Sequence, residues 1–159
     1  HVLATNGITS FSAAEKAHLV KAWHRLQGWP DSSAGLYRLK QQFIIAPQSN
    51  GNIALIVNMA KAADLPWDVV LGAEIVQTYK PRPEAYERAC DALGLRPQDC
   101  MMVAAHNDDL FAARNTGMKT AFVKRPTEHG PQQTTDLTAE SDWDFGVDSF
   151  LELAEQLGC

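Results

Sequence analysis

Three short stretches of this 159-residue chain hold most of the side chains able to do chemistry. The first is Ser49-Asn50-Gly51-Asn52, directly after the apolar run Phe43 to Pro47. A hydroxyl, an amide and backbone N–H groups ahead of a helix can cradle an anion. The same residues suit a plain helix cap, since Ser and Asn are favoured there and Gly permits the turn. The second is Lys80, within Tyr79-Lys80-Pro81-Arg82-Pro83. A residue before proline is driven to extended backbone, so Lys80 belongs to a rigid loop, from which it either neutralises an anion or stays solvated. Tyr86, one turn into the following helix, either aims its hydroxyl at the same place or packs half-buried. The third is Ala104-Ala105-His106-Asn107-Asp108-Asp109, after the most apolar run of the chain. A histidine and two adjacent carboxylates can orient a lysine, hold water or bind a metal. They can also simply serve the positive end of a helix.

The elements that must position these residues follow from pattern. Ser12 with Glu15 forms a capping box, and Leu19, Ala22, Trp23 and Leu26 continue at helical spacing. Asp31 can cap the next helix. Strands are expected near 42–47, 68–72, 100–105 and 120–123. Helices are expected over 53–63, 83–93 and 108–116, and a strand end plus helix over 147–157. Pro83 suits a first helical turn, and Gly94 and Gly117 suit helix stops. Residues 127–141 read as loop. Alternation of apolar strands with helices implies a Rossmann-like parallel α/β sheet covered on both faces. Such sheets bind ligands beyond the carboxyl ends of their strands, and all three stretches fall there.

Composition narrows the class. Hydrophobic residues make up 45% and charged residues 21%, ordinary for one globular domain. A net charge of −5 argues against nucleic acid as the main partner. No apolar stretch approaches the ~20 residues that span a bilayer. Cys90, Cys100 and Cys159 form neither a CxxC pair nor an even set, which points to a reducing, cytoplasmic setting.

The order and placement of the three stretches resemble the haloacid dehalogenase superfamily, most closely its type II (S)-2-haloacid dehalogenase branch. The resemblance runs from about Phe11 to Gly130. Ser49-Asn50 matches the second family motif, Lys80-Pro81 the third, and Asp109 the last acidic position of the fourth. The phrases Ala46-Pro47-Gln48-Ser49-Asn50-Gly51-Asn52 and Val103-Ala104-Ala105-His106-Asn107-Asp108-Asp109 look specific to that branch. The family's nucleophilic aspartate sits in a motif resembling Asp-x-(Tyr/Phe)-Gly-Thr, and this sequence has no such motif. The resemblance therefore implies an N-terminally truncated enzyme. Residues 1–28 would be a remnant of the helical cap and 29–159 the hydrolase core, without the first strand.

What the resemblance implies is hydrolytic dehalogenation of a 2-haloacid to a 2-hydroxy acid through an aspartyl ester. Ser49 and Asn50 would bind the substrate carboxylate and Tyr86 would line the cavity. Lys80 would pair with the nucleophile and Asp109 would hold Lys80. His106 would sit near the hydrolytic water. No cofactor and no metal are expected, because Ala104-Ala105 stands where a magnesium phosphatase of this fold commonly has Gly-Asp. The alternatives are such a phosphatase, or a non-catalytic fragment or subunit that needs a second polypeptide. The chain alone is expected to be inactive, and to form a homodimer or a complex with the missing N-terminal segment.

Overall fold

In the computed structural model, which describes residues 2–8 and 10–159, three helical pieces come first. They are α1 (Val2–Thr5), α2 (Ala13–Val20) and a 3-10 turn at Lys21–Arg25. The expected capping box is present: the Ser12 hydroxyl accepts from Glu15 N at 3.2 Å, and the Glu15 carboxylate accepts from Ser12 N at 2.8 Å. Beyond Val20 the backbone tightens to 3-10, so Trp23 and Leu26 do not extend the helical stripe. None of the residues in these three pieces is buried.

The core begins at α3 (Ser32–Leu39) and continues through α4 (Ile53–Ala63), α5 (Ala73–Val76), α6 (Pro83–Ala92), β1 (Met101–Ala104), α7 (Asn107–Arg114), β2 (Lys119–Val123), β3 (Phe145–Val147) and α8 (Phe150–Gln156). The strands form one parallel sheet in the order β1-β2-β3, with Met102 opposite Thr120 and Val123 opposite Val147. Side chains alternate between sheet faces along a strand. In β2, Ala121 and Val123 pack with Leu36, Leu39, Val147 and Leu153 under α3 and α8. Phe122 packs on the other face with Tyr86, Met102, Leu110 and Trp143 under α6 and α7. Both faces are covered, so neither strand needs a polar face: β1 is apolar throughout and β2 from Ala121 to Val123. α3 meets α8 almost backbone to backbone. A Cβ added at Gly35 would lie 2.4 Å from the Phe150 Cβ, which only glycine avoids.

Two expectations need correction. Residues 42–47 and 68–72 are not full strands; they run parallel and share one bridge, Gln48 with Leu71. Asp68 N donates to Ile45 O at 2.9 Å and Leu71 N to Pro47 O at 3.0 Å. The ladder stops there because Pro47 has no N–H and the Ile45 N–H goes to the Asp68 carboxylate at 2.9 Å. The second correction concerns Asp31, whose side chain does not cap α3. Its backbone is already helical, at φ −87° and ψ −15°, whereas a capping side chain needs extended backbone. Its carboxylate instead accepts from Arg125 Nη2 at 2.9 Å and from Phe150 N at 2.7 Å, tying the start of α3 to the start of α8. Among the described residues, no helix is long and apolar enough to cross a membrane.

Burial opposes ionisation of Asp31, but the Arg125 guanidinium and the Phe150 N–H outweigh it and hold the carboxyl below its ordinary range. A depressed folded-state pKa stabilises above the unfolded value of about 4, and that contribution fades as pH falls through the folded value. Asp31→Asn should therefore lower unfolding free energy by about 2–3 kcal/mol at neutral pH. The gap to wild type should shrink below about pH 4, as denaturant melts across pH will show.

Candidate active site

Asp109 joins the second and third stretches directly, and the first reaches it through Lys80. β1 delivers the chain to the end of the sheet, His106 precedes α7, and Asp109 lies in its first turn. One carboxylate oxygen accepts from Lys80 Nζ and the other from the Tyr86 hydroxyl, each at 2.6 Å. Lys80 and Asp109 side chains are 20% and 14% exposed, so the ion pair is largely shielded from water. Tyr86 is fully buried beneath it. Burial, then the hydrogen bond to Asp109 and its charge, push the Tyr86 phenol well above its usual range, so the phenol remains a donor.

Asn50 fixes Lys80 from the other side. Its Oδ1 accepts from Lys80 N at 2.7 Å and its Nδ2 donates to Lys80 O at 3.1 Å. A single amide thus holds the whole peptide of Lys80, which joins Pro81 through a cis bond, and leaves the ammonium to reach Asp109. Ser49 Oγ accepts from Gly51 N at 3.0 Å. The helix end behind it is already served. Asn52 Oδ1 accepts from Leu55 N at 2.7 Å, and the Glu74 carboxylate accepts from Ile53 N at 3.0 and 3.1 Å. The helix-cap reading of the Ser49–Asn52 stretch is met by Asn52. The Ser49 hydroxyl proton and the Asn50 N–H make no hydrogen bond to the described residues.

His106 stands at the same sheet end, with Nε2 3.1 Å from Glu128 Oε2. Asp108 does not cap α7 in the ordinary sense; its Oδ1 accepts from Asp109 N at 2.8 Å and steadies the residue beside it. The side chains of Ala104 and Ala105 carry no ligand atom. A cleft of about 600 Å³ runs inward between residues 43–48 and β1, walled by Ile45, Pro47, Met102, Val103, Tyr86 and Lys80. Gln48 faces this cleft, and its Oε1 is buried without a hydrogen-bond partner.

Sequence reasoning missed Asn107. It is 2% exposed and acts as a hub: its Nδ2 donates to Asp136 and Thr138 O, and its Oδ1 accepts from Glu140 N and Trp143 Nε1. A polar residue between His106 and Asp108 carries no periodicity that marks it as buried. Glu74 and Glu128 were missed because their partners lie 21 and 22 positions away.

Comparison with known proteins gives the family and the fold. A family model described as haloacid dehalogenase-like hydrolase matches residues 1–117. The chain belongs to the haloacid dehalogenase-like hydrolases. The (S)-2-haloacid dehalogenase 4A of Burkholderia cepacia is 34% identical over 113 residues, which are 69% of this chain and 49% of that protein. The chain thus spans about half the length of that curated relative. The crystal structure of the defluorinating L-2-haloacid dehalogenase Rha0230 is 48% identical, with a TM-score of 0.95 over 99% of this chain and 65% of that one. A pyrophosphatase PpaX of Halalkalibacterium halodurans is 37% identical over 57 residues, 36% of this chain and 26% of that protein. Within this hydrolase family, the parallel sheet and its helices match the dehalogenase structures closely.

The raised Tyr86 phenol has a direct spectroscopic test. Tyrosinate absorbance during alkaline titration should have the same amplitude in wild type and in Tyr86→Phe below about pH 11. The two should diverge only where the fold melts.

Proposed function

We propose that this chain supplies the anion-binding and cationic side of a hydrolytic 2-haloacid dehalogenase. The observation that carries the reading is the shielded Lys80–Asp109 pair, backed by Tyr86 and held by Asn50 at the mouth of an apolar cleft. In this reading residues 29–159 form the hydrolase core and residues 1–28 belong to a helical cap.

The nucleophile is a carboxylate on an extended segment from outside this sequence, seated between residues 43–48 and β1. Three features support that seat. The cleft is long and apolar, the Gln48 Oε1 lacks a donor, and the side of β1 away from β2 pairs with no strand among the described residues. A buried acceptor left unmet costs about 1–3 kcal/mol, and a backbone N–H entering the cleft would meet it.

The chemistry then divides into two steps. A carboxylate oxygen attacks C2 of the 2-haloacid, the carbon–halogen bond breaks, and halide leaves with the bonding pair. Water next adds to the ester carbonyl, releasing the 2-hydroxy acid and restoring the carboxylate. The Ser49 hydroxyl and the Asn50 N–H bind the substrate carboxylate. Lys80 keeps the nucleophile ionised by its charge, and Asp109, with both oxygens engaged, orients Lys80. His106 lies beside the path of the hydrolytic water. A second reading, a magnesium-dependent phosphohydrolase, rests on the pyrophosphatase relatives and on Asp108 and Asp109.

Halide release from 2-chloropropanoate tests both. The chain alone should release none. With a peptide carrying an apolar strand that ends in Asp-x-(Tyr/Phe)-Gly-Thr, release should appear, resist chelator, and fall by about 100-fold or more in Lys80→Ala. Steady turnover without the peptide would overturn the assignment of the nucleophile. Magnesium-dependent pyrophosphate hydrolysis abolished by chelator would establish the second reading.

A further inference from the structure

Beyond the cleft, His106 has two neighbours with metal-ligating side chains, Glu128 and His129, that the proposed reaction does not use. We propose that His106, Glu128 and His129 form a binding site for a divalent transition cation of the Zn²⁺ class at the rim of the sheet. Each offers one ligand atom, and the three atoms lie within 4.8 Å of one another. His106 Nε2 and Glu128 Oε2 are already 3.1 Å apart. The His106 and His129 rings lie nearly parallel, 16° apart with centroids at 6.1 Å. Zn²⁺ bonds of about 2.0–2.1 Å in tetrahedral geometry place ligand atoms about 3.4 Å from each other. The first pair needs almost no movement, and the third ligand needs rotation of one exposed side chain through little more than about 1 Å.

The framework limits what this rotation must order. Glu128 and His129 sit in a turn in which Gly130 N donates to Thr127 O at 3.0 Å. His129 N donates to Gln133 Oε1 at 3.0 Å, and Gln133 Nε2 donates to Arg125 O at 3.1 Å and Thr135 O at 2.9 Å. Arg125 is 7% exposed and anchored on Asp31. His106 lies on the other side, between β1 and α7. Two braced segments thus present the donors, so little chain entropy is lost on binding.

The donor set also selects the ion. Two imidazoles and one carboxylate suit Zn²⁺, Ni²⁺ or Cu²⁺, whereas Mg²⁺ and Ca²⁺ take oxygen ligands. Three protein ligands on an open rim leave a fourth position for water or an anion. The site shares no side chain with the Lys80–Asp109 pair, whose carboxylate oxygens are both occupied. A bound ion would pin residues 128–129 against the end of β1. The inference does not depend on the dehalogenase reading.

The test is calorimetric titration of the full chain, purified without a histidine tag, with Zn²⁺, and the same titration with Co²⁺ followed by visible absorption. One equivalent should bind. His106→Ala and His129→Ala should each weaken binding by at least about tenfold, and Glu128→Gln by about tenfold. Replacing Cys90, Cys100 and Cys159 with serine should leave it unchanged, and equimolar Mg²⁺ should not compete. Zn²⁺ should raise the Tm of wild type but not of His129→Ala. Unaltered affinity in His129→Ala, loss of binding in the cysteine variant, competition by Mg²⁺, or no binding up to about 1 mM Zn²⁺ would each overturn the proposal.

Discussion

The carboxylate of Asp109 ties α7 to the loop at Lys80 and to the α6 helix that follows that loop. α7 carries it, the loop at Lys80 supplies a cation to one oxygen, and α6 supplies a phenol to the other. Hydrogen bonds to an ionised group are stronger than neutral ones, and partial burial limits screening of this pair. Both Asp109 oxygens are therefore engaged, one by a cation and one by a phenol. Asn50 completes the arrangement by holding the Lys80 peptide through both atoms of its amide. The ammonium is therefore aimed by two constraints, one on its backbone and one on its tip.

The sheet obeys a second constraint, set by its two covered faces. Around β2 this is fully met: Ala121, Val123 and Phe122 are all buried. Between β1 and residues 43–48 it is not, and the cleft there ends in the unmet Gln48 oxygen. The best-packed and least-packed parts of the sheet thus lie side by side, on the two edges of β1. Polar residues collect at the mouth of the less packed edge, where water and ligands can enter.

Reading the sequence located the elements whose evidence is local. The helix over 53–63 agrees in both bounds, and the runs at β1 and β2 are apolar enough to identify themselves. Asn50, Lys80 and Asp109 were expected together because each follows an apolar run, although only Asp109 follows a full strand. What escaped depends on partners far along the chain. Asp31 looks like a helix cap until Arg125 and Phe150 are brought to it, across 94 and 119 positions. Pro47 curtails a strand that its apolar neighbours advertise. Asn107 has polar neighbours and no apolar spacing, so its burial follows only from the loop that folds over it. Glu128 and His129 read as an ordinary polar loop, since nothing local shows that His106 waits opposite.

The seam between α3 and α8 bears on how the molecule comes together in time. It is glycine-tight at Gly35 and clasped by Asp31. It is extended by Gln42 Nε2, which donates to Gly158 O at 2.8 Å, and by the Arg38 guanidinium on the Cys159 carbonyl. These contacts join residues separated by 116 to 121 positions. Loops of that length close slowly, because their entropy is lost before the contacts repay it. On the ribosome, α3 emerges before residues 150–159 and must wait for them. Until then Leu36 and Leu39 lack the cover of Leu153. The interval before α8 docks is accordingly when this face of the sheet is most exposed to chaperones and to aggregation.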